Sequence, residues 1–495
     1  MALLDALALL APQLATRWLN SRAGFQEAKR RFEAAAPDKY RPNRTSAGDG
    51  NAVVAAAGSR LRGQARHLDE NHDLVVSVLD DLVNNTVGNS VGVDPLVRMK
   101  DRTLADEVNN QLRDLFEEWS EAPETTGQYD LAGCRRLGSR TMFRDGEYFT
   151  QLIRSDAFRY PTRVPFVIDL MEPDYCPFDY TLGENVVQGV ELNGWGAPVN
   201  FFFWKNHPGA MGGMQSANST TLIKKNARAV LHPKLTKRIK QVRGVSQLHA
   251  VIQRLRDIKD YEESERIAAK AAADITGWFK GTAPNSAAPT SANPRRELSL
   301  QAGTMLHLQG DESVGLLSAD RPNTGLEAFR NAMLRAVAGG TGTRYSPISR
   351  NYNGTYSSQR QELVEGAVAY RGLFGLHVAS WERPIWNHFV EICYLSGLLK
   401  LGPGVDLTTL YRADFRAPAI PWIDPKKEAD AWATLVQNDL ESRTGIQRMR
   451  GRDADKVFDE IEAEKARGFG IAPAPAAIPD QREPADDPEN ELEAA

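Results

Sequence analysis

Acid–base or metal chemistry needs carboxylates, histidines or cysteines held close together, and this sequence offers few such groupings. Carboxylates cluster at Asp145 and Glu147 and again at Asp169, Glu172 and Asp174, the residue type a metal-dependent nuclease converges on a divalent ion. Both clusters have a plainer reading, because Asp145-Gly146 and Pro173-Asp174 are turn-forming pairs. The eight histidines are scattered, and His67 and His72 sit five apart, off the i, i+4 face that two ligands on one helix would share. Cys134, Cys176 and Cys393 are far apart with no CxxC, which points to neither a zinc knuckle nor a redox pair. No glycine-rich loop ends in Gly-Lys-Ser/Thr, and neither GxSxG nor HExxH occurs. The expectation is a protein without catalytic residues, metal or cofactor.

A second kind of chemistry is phosphate recognition. Lys224, Lys225, Arg228, Lys234, Lys237, Arg238, Lys240 and Arg243 form a basic stretch; Lys224, Lys225, Arg228, Lys237 and Arg238 are its candidate nucleic-acid surface. A solvated edge explains the same residues, since the density is modest for a nucleic-acid patch. The whole chain carries a formal charge of −4, whereas a protein that grips duplex DNA tightly usually has a basic excess, because affinity comes from releasing phosphate counterions. Either DNA is no partner, or it must pass without sticking.

The elements that would position these groups can be read from pattern. At 495 residues the chain exceeds one ordinary core, so more than one subdomain is expected. Hydrophobic residues at 42% and charged residues at 25% are ordinary for a globular protein. No run of about 18 apolar residues occurs, so no membrane span is expected. The opening MALLDALALLAPQLA lacks a basic n-region and contains Asp5, and it reads as an amphipathic helix rather than a signal peptide. Residues 21–60 are polar and Ala/Gly/Ser-rich and read as an arm. Helical patterns follow from Leu61 to about Trp119 and from 131, the latter passing into strand-like EYFTQLI. VVQGVELNGWGAPVNFFFWKN reads as a hairpin around Asn193-Gly194. From 244 a long helix carries Leu248, Ile252, Leu255, Ile258 and Tyr261 as one stripe. A Pro/Ser/Ala loop, short strands, a helix closed by two glycines, a polar loop dotted with aromatics and a long helix over roughly 358–399 come next. Two helix patterns, 426–441 and 453–465, precede a Pro/Ala/acid-rich tail from 471 that is expected to be disordered.

The order of motifs resembles the lambda-type phage portal protein family. Asn84-Asn85-Thr86-Val87-Gly88, then Trp119, Asp130 and Leu131, then Arg144-Asp145-Gly146-Glu147 fall in the family's sequence. Gly189-Val190-Glu191 with Gly196-Ala197-Pro198-Val199, and Val230-Leu231-His232 with Gln241 to Ser246, continue it. The most specific run is the last: Gly310-Asp311, Arg321-Pro322-Asn323, Phe329, Leu334-Arg335, Ala338-Gly339, Tyr345, Ser349-Arg350-Asn351-Tyr352 and Tyr356 to Arg360. The likeness covers roughly 45–465. The sequence departs from the family at KLTKRIK before Gln241 and at Gly340-Thr341-Gly342-Thr343.

The resemblance implies an α+β, mostly helical portal fold with wing, two-helix stem, clip, tunnel loop and helical crown, assembled as a ring of usually about twelve subunits. Mapped on this chain, 1–60 is an N-terminal helix and arm, 61–243 the wing, 244–280 the first stem helix, 281–323 the clip and 324–340 the second stem helix. Residues 341–357 become the tunnel loop, 358–425 a wing or crown helix with its connection, 426–470 the crown helices and 471–495 the tail. The implied function is a channel at one capsid vertex of the virion for genome packaging, retention and ejection, assembled in the host cytoplasm. Implied partners are further copies of the chain, double-stranded DNA, the terminase large subunit, a head–tail connector and the major capsid protein. Arg344, Tyr345, Ser346, Ser349, Arg350, Asn351 and Asn353 would meet the DNA, and Arg254, Arg256, Lys259, Glu262 and Glu263 would meet neighbouring subunits. Other phage structural roles, capsid or baseplate, and a DNA-processing enzyme are the alternatives.

Overall fold

The computed structural model describes residues 48–154, 160–210, 221–274, 277–280, 313–316, 325–419, 425–452 and 454–467. The chain divides into two compact units at Val53, and the fold proper is the second, from Val54 onward. The expected N-terminal helix, most of the clip and the acidic tail lie outside the described residues.

The first helices are α1 (Gly50–Asn71) and α2 (Asp73–Thr86), broken at His72. Residues 50–60, expected to belong to an arm, are helical instead. Their alanines favour helix, Val54 is buried, and Gly58 lets α1 lie against the Phe178 ring, which an added Cβ would meet at 3.1 Å. Then come β1 (Gly92–Pro95), α3 (Asp106–Glu121) and α4 (Leu131–Asp145). Asp130 caps α4 by accepting from the Gly133 amide, and Gly146 closes it in the left-handed conformation, φ 96°.

Two antiparallel sheets come after α4. Strands β2 (Phe149–Ile153), β3 (Val167–Met171) and β8 (Val230–Leu231) form the first in the order β3-β2-β8, with Phe149 opposite Met171. The second runs β4-β5-β6-β7, from β4 (Val186–Val187), β5 (Val190–Leu192), β6 (Pro198–Trp204) and β7 (Leu222–Asn226). Its β5–β6 hairpin is the one expected from the sequence, with a register irregularity at Glu191/Leu192.

Helix α5 (Ile252–Asp274) begins later than the expected 244, because residues 244–251 run as an irregular stretch and a turn pinned against α4: the Gln247 amide donates to the Phe143 carbonyl at 2.9 Å. Of the expected stripe, Ile252, Leu255 and Ile258 are buried on α5, Tyr261 is half-buried there, and Leu248 is buried in the turn ahead of it. Strands β9 (Gly277–Lys280) and β10 (Ser313–Leu316) pair antiparallel, so the end of the expected first stem helix is strand. Helix α6 (Leu326–Thr341) packs antiparallel on α5 through Tyr261 and Phe329, ring centroids 4.9 Å apart.

A short helix α7 (Tyr345–Ser349) sits inside the segment expected to be loop. Its Pro347 falls in the first turn, where a missing N–H is harmless, and Ile348 is buried. Helices α8 (Tyr356–His377) and α9 (Arg383–Leu395) make one long rod through a π turn at Val378–Glu382. Strand β11 (Ala413–Arg416) pairs with β1, and α10 (Pro425–Gln437), α11 (Arg443–Met449) and α12 (Ala454–Ala466) end the described chain. Helix α11, in what was expected to be a joint between two helices, is the additional element.

The main core gathers α2, α3, α4, α9 and the bases of α5 and α6. Its centre is aromatic: Phe116, Trp119, Trp386 and Phe389 pack with centroids 5.1–5.7 Å apart, and the Trp119 indole donates to the Phe166 carbonyl at 2.8 Å. Two smaller clusters lie around the second sheet.

Candidate functional site

The segment 341–357 links α6 to α8, and two carboxylates from other elements hold its first half. Asp81 of α2 is buried and accepts from Arg344 Nη2 at 2.9 Å, from the Tyr370 hydroxyl, and from Asn85 Nδ2 at 3.0 Å. The Arg344 guanidinium also lies over the Tyr370 ring, 5.5 Å from its centroid. Burial and Asp81 push the Tyr370 hydroxyl pKa up, and Asp81 outweighs burial in raising that of Arg344. Glu362 of α8 accepts from the Ser346 amide at 2.9 Å and from its hydroxyl at 2.5 Å, an anion at the start of α7 where amides are free.

The second half is differently placed. Arg350 is exposed in the left-handed conformation, φ 54°, and makes no ion pair among the described residues. Ser349 Oγ accepts from the Asn351 amide at 3.2 Å, and Asn351 Oδ1 from the Asn353 amide at 3.0 Å. Tyr345 is half-buried beneath Arg335, 5.3 Å from its ring centroid. Of the two arginines singled out from sequence, Arg344 is therefore spent inside the subunit and Arg350 is presented outward.

Of the helix residues expected to meet neighbours, Arg254, Arg256, Lys259 and Glu263 are exposed on α5. Lys259 Nζ donates to the Asn71 carbonyl at 2.7 Å, Glu262 pairs with Arg330 of α6 at 2.6 Å, and Glu263 with Arg266 at 3.6 Å. The basic stretch divides. Lys224, Arg228, Lys237 and Arg238 are exposed and Lys225 half-exposed, spread over β7, the turn after it and the loop 235–240, with Lys224 on Glu191 at 2.7 Å. Lys234 instead donates to the Gln241 and Val242 carbonyls, and Arg243 is fully buried.

Arg243 is part of an ionic hub that pattern reading missed. Glu147, itself fully buried, accepts from Arg243 Nε at 2.8 Å, Arg62 Nη2 at 2.9 Å, His232 Nε2 at 2.8 Å and the Gly244 amide at 2.7 Å. Burial alone would raise the Glu147 pKa; Arg243, His232 and Arg62 together hold it well below the usual carboxylate range. Arg243 also donates to the carbonyls of Cys176, Gln188 and Pro173, so one side chain ties both sheets to the approach to α5. Gly146 and Gly244 touch here: a Cβ on Gly146 would sit 2.4 Å from the Val245 backbone, and one on Gly244 2.1 Å from the Gly146 oxygen.

Among the clustered carboxylates, Asp145 closes α4, Asp169 lies in β3 and Asp174 in the 3-10 turn Pro173–Tyr175. Asp145 ends α4 and takes Arg66 at 2.7 Å and Arg144 at 2.8 Å. Glu172, Asp174 and His207 bring ligand atoms within 4.8 Å of one another, but the Arg66 guanidinium lies on Asp174 and 3.7 Å from Glu172, so a cation already balances them. A second buried pair joins α4 to the π turn: Arg135 donates to Glu382 at 2.7 and 2.9 Å, and His377 meets the same carboxylate at 3.0 Å. The three cysteines are free and buried, burial pushing the Cys176 thiol up to about 11 and those of Cys134 and Cys393 to about 12.

The family described as phage portal protein, lambda family, matches residues 38–373, which takes in the ionic hub, the α5–α6 pair and the segment 341–357. The chain belongs to this portal family. A probable portal protein of Halomonas phage phiHAP-1 is 25% identical over 444 residues, 86% of this chain and 83% of that one. The portal proteins of Escherichia phages N15 and lambda are 28% and 27% identical over 214 residues, 40% of this chain and 38% of each of theirs. Among solved structures, a chain in the neck of a native GTA particle, computed with C12 symmetry, is 13% identical with a TM-score of 0.45, covering 81% of this chain and 98% of that one. Among the described residues no helix of this portal protein is long and apolar enough to cross a membrane.

Proposed function

We propose that copies of this portal subunit close into a ring, of about twelve by resemblance to the family, around a channel for double-stranded DNA at one vertex of the virion. In this reading 341–357 faces the channel, α5 and α6 form the stem, and 281–323 docks the terminase large subunit and the head–tail connector. The major capsid protein surrounds the ring, which assembles in the host cytoplasm. The observation that carries the reading is the division of charge in the channel segment. Asp81 neutralises Arg344, leaving Arg350 as the one outward cation among Ser349, Asn351 and Asn353. Duplex DNA carries one charge per about 1.7 Å, and a densely basic wall would hold it by counterion release. One cation per subunit among uncharged hydrogen-bonding groups gives weak, sequence-blind contacts that can be exchanged as phosphates pass.

The test is Arg350→Glu, read by negative-stain microscopy of the purified ring and by packaged DNA per particle. Closed rings with a central hole and packaging reduced at least about tenfold are expected, with Arg350→Lys restoring most of it. Normal packaging by rings of the Arg350→Glu variant would remove the segment from the DNA path. Preparations yielding only monomers, shells or open filaments would remove the ring itself.

A further inference from the structure

A cavity of about 540 Å³ opens between α8 and the C-terminal helices α10 and α11. Phe374, Trp432 and Met449 give it an apolar, aromatic floor; Arg371, Arg448 and Arg450 line it with cations against one carboxylate, Glu428. Arg371 and Arg448 are exposed and make no ion pair among the described residues. The indole N–H of Trp432 is buried without an acceptor among the described residues, a donor that the carbonyl of a docked backbone would satisfy. Helix α10, which forms one wall, buries none of its residues.

We propose that this cavity is the docking site for the acidic C-terminal segment of the same chain, Asp480–Ala495, with Leu492 on the apolar floor and Glu491 and Glu493 on the arginine rim. The segment carries Asp480, Glu483, Asp486, Asp487, Glu489, Glu491 and Glu493 against Arg482 alone, the complement of the rim. Its reach is ample. Helix α12 packs on α11, whose end lines the cavity, and the stretch from Arg467 to Leu492 spans up to about 80 Å when extended. A leucine between two glutamates suits an apolar floor inside a cationic rim. A phosphate backbone matches the rim but would bury charge against the floor. Tethering makes even a weak contact intramolecular, with an effective concentration in the millimolar range. The proposal stands on the cavity and on charge, independently of the channel reading.

The experiment uses the full-length chain carrying Met449→Cys as a reporter; the native cysteines are buried. Maleimide labelling of the new thiol should be slow at low salt and at least about tenfold faster in 0.5 M NaCl. It should also be at least about tenfold faster when Leu492→Asp or the pair Glu491→Gln and Glu493→Gln is added. A synthetic peptide of residues 480–495 should restore protection to the Leu492→Asp chain, and should fail to do so when Arg371→Glu and Arg448→Glu are also present. Labelling that is fast in the parent chain, or equal with and without Leu492→Asp, overturns the proposal. Protection that follows protein concentration but not tail sequence assigns the cavity to a second copy and overturns it. Protection by duplex oligonucleotide but not by the peptide assigns it to nucleic acid, with the same consequence.

Discussion

Asp81→Asn tests how far segment 341–357 is held in place by the Asp81 carboxylate. In the parent chain the Asp81 side chain is 4% exposed and Arg344 16%; the Asn isostere keeps the shape and one acceptor for the Tyr370 hydroxyl but removes the countercharge. Breaking a fully buried pair costs about 3–5 kcal/mol. Here Arg344 keeps some solvent, the Tyr370 ring and a neutral acceptor, so about 2 kcal/mol is expected. That is roughly a 30-fold shift in the local opening equilibrium, at about 1.4 kcal/mol per decade. Hydrogen exchange read by mass spectrometry on the full-length protein can follow it at the amides of Gly342 and Thr343, bonded to the Ala338 carbonyl, and of Ser346, bonded to Glu362. Tyr370→Phe, which removes one neutral donor, should speed the same amides about fivefold, equivalent to about 1 kcal/mol. Combining Asp81→Asn with Arg344→Gln should cost less than the sum of the single changes by about 1–2 kcal/mol. Exchange unchanged within about threefold in Asp81→Asn, or strict additivity in the double variant, would refute the role given to Asp81 in holding segment 341–357.

Other expectations come from the packing. Gly146→Ala should destabilise by at least about 2 kcal/mol, from its positive φ and its contact with Val245, seen as a lower denaturant midpoint; an unchanged midpoint would show that the turn can relax. Glu262→Ala should change stability by no more than about 0.5 kcal/mol, because Glu262 and Arg330 are each more than a third exposed; a larger loss would mean that the pair is coupled to something beyond α5 and α6. Burial pushes the His232 pKa down to about 4 even beside Glu147, whose charge Arg62 and Arg243 already share. The unfolded imidazole takes its proton near about 6.5, so stability is full above that pH and is lost as the pH falls towards 4. Glu382 is held at about 2 against burial by Arg135 and His377, so its contribution is present above about 4.3 and fades below it. The melting midpoint should therefore fall continuously on acidification from about pH 7, and His232→Gln should flatten the part between about 6.5 and 4. A midpoint independent of pH across that window would contradict the assignment.

Local signals in the sequence were reliable where local physics decides the outcome. Asn193-Gly194 with its flanking alternation marks the β5–β6 hairpin, and the stripe Leu248 to Tyr261 marks the packed face of α5. Periodicity could not show where α5 begins, because the irregular stretch and turn at 244–251 are imposed by α4 through Phe143 and Gly146. Nor could it show the π turn, since one extra residue leaves an apolar rod apolar. Arg243 and Lys234 read as parts of a basic surface because charge alone does not reveal a partner 96 residues away, as Glu147 is from Arg243. The ordered motifs carried that information without showing its cause. Arg144 to Glu147 and Gln241 to Ser246 meet at the hub, and Asn85 meets Arg344 at 3.3 Å, so residues grouped by resemblance turn out to touch.

Helix α5 has a mechanical consequence. It meets α6 at Tyr261 and Glu262 and runs on to Asp274, a further stretch of about 18 Å at about 1.5 Å per residue. A rod multiplies angle into displacement, and a tilt of about 5° carries the far end of that stretch sideways by about 1.6 Å. The two glycines wedged together near the root of that rod therefore act as its bearing, and any looseness there is magnified where the rod ends.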